Sequence, residues 1–185
     1  LFNILNILKN IIPITEQDIF DTFITLDKTK KNIYSENLNP GNISLDLANW
    51  IKKTPVIYYP KGLSSVAIRF KNSLQENAKL HVISEELFEA CHNGIVAWEK
   101  NEMFQPILIR GKDDHAKTKE RWEILKEYFR QSNIDFFEIH SVEGNILSKI
   151  VNLIYVLDYS SIYHAIKNGI DPSPVSAIDF VKSKL

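Results

Sequence analysis

The sequence predicts an α/β fold with a mostly parallel sheet covered on both sides, preceded by a helical N-terminal segment. Two observations carry this. From Pro55 onward, short stretches that are apolar along their whole length alternate with longer stretches whose apolar residues recur at helical spacing. Strands that are apolar on both faces and separated by helices belong to parallel sheets with helices on either side. Before Pro55, no strand pattern is found.

The elements follow in order. Leu1, Leu5, Leu8 and Ile12 fall at helical spacing until Pro13 breaks the run. Thr15 with Glu16 and Asp18 reads as a helix start, and Ile19, Phe20, Phe23 and Leu26 form its apolar stripe. Asn39-Pro40-Gly41 is a turn, after which Ser44 is expected to cap a short helix carrying Leu45, Leu47 and Trp50. Residues 55–60, PVIYYP, form the first strand, and 64–78 a helix with Val66, Phe70, Leu74 and Ala78 on one face. Strands are expected at 79–84, 106–111 and 135–140, and helices at 113–131 and 145–166. In such sheets ligands sit outside the carboxyl ends of the strands. That selects the loops Lys61 to Ser65, Ser84 to Asn93, Gly111 to His115, and Ser141 to Gly144.

Composition removes several function classes. With 185 residues, 44% hydrophobic and 24% charged, the chain can bury a core of its own. A net charge of −1 gives no electrostatic case for nucleic acid or an anionic membrane. No apolar run approaches the roughly 20 residues of a membrane span. LFNILNILKNII at the start lacks the basic leader and cleavage site of a signal peptide, and the expectation is a cytoplasmic protein. Cys91 is the single cysteine, which fits a reducing compartment and reads as a small buried hydrophobe rather than a catalytic thiol. Met103 is the single methionine, so the sequence does not open on a translation start, and a processed or upstream-extended chain is expected.

Chemistry-bearing residues are sparse. In the loop PKGLSS, Gly62 allows close backbone approach, and Lys61, Ser64 and Ser65 sit at a helix N-terminus, which favours an anion. The histidines, His81, His92, His115, His140 and His164, show no metal-ligand spacing, so neither a metal nor another cofactor is expected. His81 and His140 are expected in strands, and His115 at a helix start as a solvated cap. No GxSxG, GxGxxG or P-loop is present.

Three blocks go further. PVIYYPKGLSSVAIRFKNSLQENAK (55–79), CHNGIVAWE (91–99) and LDYSSIYHAIKNGIDPSPVSAIDFVKSKL (157–185) resemble, in this order, the archaeal-type bifunctional phosphoglucose/phosphomannose isomerases. The resemblance implies a sugar isomerase (SIS) type, flavodoxin-like three-layer sandwich over residues 54–185. It makes 1–53 a helical linker packing on that domain. A first SIS domain, with its S-x-S-G-N-[ST] phosphate loop, is expected to be absent from this chain.

The implied reaction is aldose–ketose isomerisation of glucose 6-phosphate or mannose 6-phosphate to fructose 6-phosphate, without a cofactor. In the family a histidine and a lysine assist ring opening, and a glutamate moves a proton between C1 and C2. The resemblance assigns His115 and Lys182 to the first two roles and Arg69, Glu76, Asn77, Lys79, His92 and Asn93 to substrate binding, alongside Lys61, Ser64 and Ser65. It implies a homodimer, because the family's histidine serves the neighbouring subunit's site. At the position of the glutamate this chain has Gly94. Loss of a positioned acid/base costs roughly 10² to 10⁴ in rate. Glu85, Glu86, Glu89 and Glu99 lie near, and nothing in the sequence selects one of them. The alternative is a non-catalytic phosphosugar-binding or dimerisation module.

Overall fold

The structure, a computed structural model, describes residues 2–7, 12–100 and 103–185. Of the first expected stripe, Leu1 and Leu8 lie outside these residues; between them runs a short helix α1 (Phe2–Ile7). Helix α2 (Glu16–Ile33) begins in a capping box at Thr15. The Thr15 hydroxyl accepts from the Asp18 N–H at 3.1 Å and the Asp18 carboxylate accepts from the Thr15 N–H at 2.8 Å. Both donors would otherwise be unsatisfied at a helix end.

Helix α3 (Ile43–Trp50) corrects one expectation, because its cap is Asn42 and not Ser44. The Asn42 side-chain oxygen accepts from the N–H groups of Ser44 and Leu45, each at 3.1 Å. Ser44 is buried inside the first turn, and its hydroxyl donates to the Val156 carbonyl at 2.8 Å.

The sheet holds β1 (Thr54–Tyr59), β2 (Ile83–Glu86), β3 (Phe104–Arg110) and β4 (Phe137–His140), all parallel, in the order β2-β1-β3-β4. After β1 a single 3-10 turn (Lys61–Leu63) leads into α4 (Ser64–Ala78). After β2 come a one-turn α5 (Leu87–Ala90), a turn at 91–93 and a 3-10 stretch (Gly94–Lys100). Helices α6 (Ala116–Gln131), α7 (Ile146–Lys167) and α8 (Ser176–Lys182) complete the chain.

The second strand lies four residues later than its sequence pattern indicates. Lys79 closes α4 in the left-handed region at φ 54°, and the Leu80 N–H returns to the Leu74 carbonyl at 3.3 Å. That helix stop holds residues 79–82 out of the sheet, and pairing begins only where Ile83 meets Val56. His81 is therefore exposed and outside any strand, while His140 ends β4 as expected.

Each face of the sheet has its own core. On one face Ile57, Ile107, Ile109 and Ile139 pack under α4 and α7, through Phe70, Leu74, Leu153 and Leu157. Helices α2 and α3 lie against α7 and add Ile33 and Leu47 to that core. On the other face Val56, Tyr58 and Leu108 meet Leu87, Trp98, Trp122, Leu125 and Phe129. Alternation along β1 sends Val56 and Tyr58 one way and Ile57 the other, as strand geometry requires.

Candidate functional site

Right-handed α/β connections carry the chain from the carboxyl end of each strand into the following helix. The segments after β1, β2 and β3, with the first turn of α7, accordingly surround one open cavity of about 550 Å³, whereas the expected loop Ser141 to Gly144 is not among the described residues lining it. Lys61 and Gly62 line it from the first loop, Glu86 and Phe88 from the second, and Asp113, Asp114 and His115 from the third. Ile146 and Lys149 of α7 close the fourth side.

Its rim is held by specific bonds. The Asp114 carboxylate accepts from the Gly111 N–H at 3.1 Å and from the Trp122 indole N–H at 3.0 Å. Asp113 pairs with Lys149, which holds the Asp113 carboxyl below the usual carboxylate range. His115 caps α6, its Nδ1 accepting from the Lys117 N–H at 3.3 Å. Glu86 caps α5 through Oε2, 2.9 Å from the Phe88 N–H, while its buried Oε1 has no partner among the described residues. Ser64 and Ser65 open α4 but are not among the described residues lining the cavity.

A second, smaller cavity of about 170 Å³ lies on the sheet face beside the edge strand β2, between the side chains of Tyr58, Glu85 and Trp98 and the backbone of Gly94. The Trp98 indole N–H donates to the Tyr58 hydroxyl at 2.7 Å, and burial pushes the Tyr58 phenol well up from its ordinary range. The Glu85 carboxylate has no hydrogen bond or ion pair among the described residues. Burial, and then the neighbouring Glu89 carboxylate, push its pKa up. A Cβ placed on Gly94 would stand 2.8 Å from Cδ of Glu85 and in collision with Oε2. The carboxylate of Glu85 thus occupies the space where a side chain at position 94 would begin.

The other expected site residues are dispersed. Helix α4 runs away from the strand carboxyl ends, so Glu76, Asn77 and Lys79 lie toward the amino ends of the strands. There Lys79 Nζ donates to the carbonyls of Glu76 at 2.6 Å and Pro174 at 2.7 Å, fastening the segment that leads into α8. Asn77 donates to the Ser161 hydroxyl at 2.8 Å. Arg69 forms an ion pair with Asp158 at 2.9 Å, and Ser73 donates to the same carboxylate at 2.6 Å. Lys79, Asn77, Arg69 and Ser73 thereby tie α4 to α7 and to the C-terminal segment. His92 and Asn93 lie exposed in the turn before Gly94, and Lys182 lies exposed near the end of α8. Within this chain His115, Gly94 and Lys182 therefore stand in three different places.

Cys91 is half-buried against the Tyr58–Trp98 core, and burial pushes its thiol up, away from a reactive thiolate. Sequence reasoning passes over Tyr58 and leaves Glu85 as one acid among four. Pairing of Tyr58 with Glu85 across β1 and β2 is what distinguishes it.

This architecture, a parallel sheet between helices with its cavity at the strand carboxyl ends, is that of the sugar isomerase domains. A glucose-6-phosphate isomerase-like protein from Thermus thermophilus superposes with a TM-score of 0.68 at 18% identity, over 85% of this chain and 52% of that one. The family described as bacterial phospho-glucose isomerase C-terminal SIS domain matches residues 41–185, so the chain belongs to it. The match takes in α3 as well as the sheet. A bifunctional phosphoglucose/phosphomannose isomerase from Caldicellulosiruptor bescii is 30% identical over 180 residues, 94% of this chain and 52% of that protein. One from Aquifex aeolicus is 27% identical over 169 residues, 86% of this chain and 53% of that protein. The chain spans about half the length of these relatives.

Proposed function

We propose that this chain is the second sugar isomerase domain of a phosphosugar isomerase. It would interconvert glucose 6-phosphate or mannose 6-phosphate with fructose 6-phosphate in the hexose phosphate metabolism of the cytoplasm. The observation that carries the reading is the family match over the whole sheet domain, on a chain with an open cavity at the carboxyl ends of β1, β2 and β3. Lys61 at the mouth of α4 supplies a cation for the phosphate, and the N-terminal N–H groups of that helix favour the same anion. His115 lines the same cavity, where an imidazole can serve ring opening.

The placement of His115, Gly94 and Lys182 in three different parts of the chain supports a site completed by a second copy of the chain or by a further domain. Calorimetric titration of the native full-length protein with fructose 6-phosphate, paired with a coupled assay of turnover, tests the reading. Binding and turnover are expected, with affinity reduced about tenfold in Lys61→Ala, the effect of losing one charge-assisted contact. Binding without turnover would make the chain a phosphosugar-binding or dimerisation module instead. Absence of binding would overturn both.

A further inference from the structure

The cavity at Gly94 carries an inference that rests on the reading just given and concerns which group moves the proton. We propose that Glu85, reaching in from β2, supplies the carboxylate that this chain lacks at position 94 and carries the proton between C1 and C2 of the sugar.

Four observations converge on Glu85. Its carboxyl group lies against Gly94, with Cδ 2.8 Å from where a Cβ would stand there, so a carboxylate is presented beside the position at which the chain lacks one. It has no hydrogen bond and no ion pair among the described residues, unlike Glu86, which caps α5, and Glu138, which is held by Arg110 and Lys126. An unengaged carboxylate in a cleft walled by Val56, Trp98 and Phe104 is partly desolvated, and such a group accepts a proton more readily than a solvated one. Next to it, the hydroxyl of Tyr58 is fixed as an acceptor by Trp98 and keeps its own proton free to donate to a sugar oxygen. Gly94 leaves the opening: with no Cβ, nothing on that side stands between Glu85 and the cavity.

The step balances without a co-reactant. The Glu85 carboxylate takes the proton from C2 of the open-chain aldose. The Tyr58 hydroxyl gives its proton to the C1 carbonyl oxygen as the C1–C2 double bond of the enediol forms. The carboxylic acid then returns its proton to C1, and the C2 hydroxyl gives its own back to Tyr58 as the ketone forms. One carboxylate suffices for the two transfers at carbon, since they occur on adjacent atoms.

The groups facing Glu85 fix the expected pH behaviour. They are Glu89 on α5, Tyr58 and Tyr59 on β1 and the Cys91 thiol, and none is a cation, so burial and the Glu89 carboxylate push the Glu85 carboxyl up. The acid limb of kcat/KM is expected above the usual carboxylate range, with activity rising as Glu85 ionises.

The test uses the native full-length protein and fructose 6-phosphate. Glu85→Gln, which keeps size and shape, is expected to lower kcat by roughly 10² to 10⁴ while the calorimetric Kd changes less than about threefold. The variant's thermal unfolding, followed by circular dichroism, checks that it folds. Glu99→Gln, at an exposed acid on the same 3-10 stretch, is expected to match the parent. In Glu85→Ala the collision at position 94 disappears. Adding Gly94→Glu to that variant is expected to restore turnover at least tenfold, because it returns a carboxylate to the cavity that Gly94 lines. Full activity in folded Glu85→Gln would overturn the proposal and leave the isomerase reading intact. A parent protein that binds fructose 6-phosphate without turning it over would overturn both the proposal and the isomerase reading, in favour of the phosphosugar-binding module. A parent that neither binds nor reacts would overturn the isomerase reading itself.

Discussion

Glu85 and Glu138 sit at the two ends of one row of paired residues that crosses the whole sheet, Glu85–Tyr58–Leu108–Glu138. They have the same side chain, the same face and similar partial burial on opposite edge strands. Their surroundings differ completely. Glu138 accepts from Arg110 and stands 3.2 Å from Lys126, and Glu123 joins the same pair of cations at 3.5 and 2.9 Å. Burial works against its ionisation, but the hydrogen bonds from Arg110 and Lys126 prevail and hold the carboxyl below its ordinary value. Glu85 has a glutamate for a neighbour and an apolar wall, and its carboxyl is raised. A carboxylate enclosed by cations is locked in one charge state and holds the edge of the sheet together. One without them can exchange a proton.

Removing a cation from the β4 edge should have the largest effect on stability. Arg110→Met leaves Glu138 with one cation in place of two at a half-buried site, and a loss of about 3 kcal/mol in urea denaturation at pH 7 is expected. If the loss were below about 1 kcal/mol, the network would be a surface feature rather than a lock.

In the middle of the row, Tyr58→Phe keeps the ring but strands the buried Trp98 indole N–H, at a cost of about 2 kcal/mol. The same denaturation series measures it. The ring packing of Trp98 on Phe129, 5.3 Å between centroids, should persist in the near-ultraviolet circular dichroism.

The sharpest comparison is of the pH dependence, since the two shifts have opposite signs. Glu138 has a lowered pKa in the folded state, so its contribution is present above its unfolded value of 4.5 and disappears as pH falls through the folded value. Relative to Glu138→Gln, the parent should therefore lose its advantage on acidification below 4.5. Glu85 is raised, so between 4.5 and its folded value the folded state binds more protons than the unfolded one. Relative to Glu85→Gln, the parent should become progressively less stable as pH rises from 4.5 through that value. Matching slopes for the two variants would break the distinction.

The smallest effect is expected at the glycine. In Gly94→Ala only the end of a flexible glutamate must swing aside, so stability should change by less than about 0.5 kcal/mol. The displaced Glu85 carboxyl should then titrate closer to its ordinary range by NMR, which would show that position 94 controls the group and not the fold.

Much of the scaffold is legible in the sequence, for reasons local to the chain. Strand β1 and helix α4 announce themselves because Val56 to Tyr59 are apolar on both faces, while Val66, Phe70 and Leu74 repeat at helical spacing. The capping box at Thr15 is a contact between residues three apart. Misreadings arise where a more distant residue competes. Ser44 looks like a cap because its type is right, but Asn42 reaches the same N–H groups and the Ser44 hydroxyl is taken by Val156 from α7. The pattern puts strand β2 too early because Leu80 and Val82 are apolar, whereas the stretch that pairs, ISEE, carries two acids at a sheet edge.

The sequence by itself determined the order of strands and helices, the parallel sheet and the family, because periodicity and motif are properties of neighbouring residues. It also showed that position 94 has no side chain. Only the tertiary structure decided what stands there instead. Glu85 and Gly94 are brought together by the pairing of β2 with β1 and by the path of the 3-10 stretch across the sheet face. Among four nearby glutamates, packing set one against Gly94 in a partly buried cleft, and no local pattern encodes that contact.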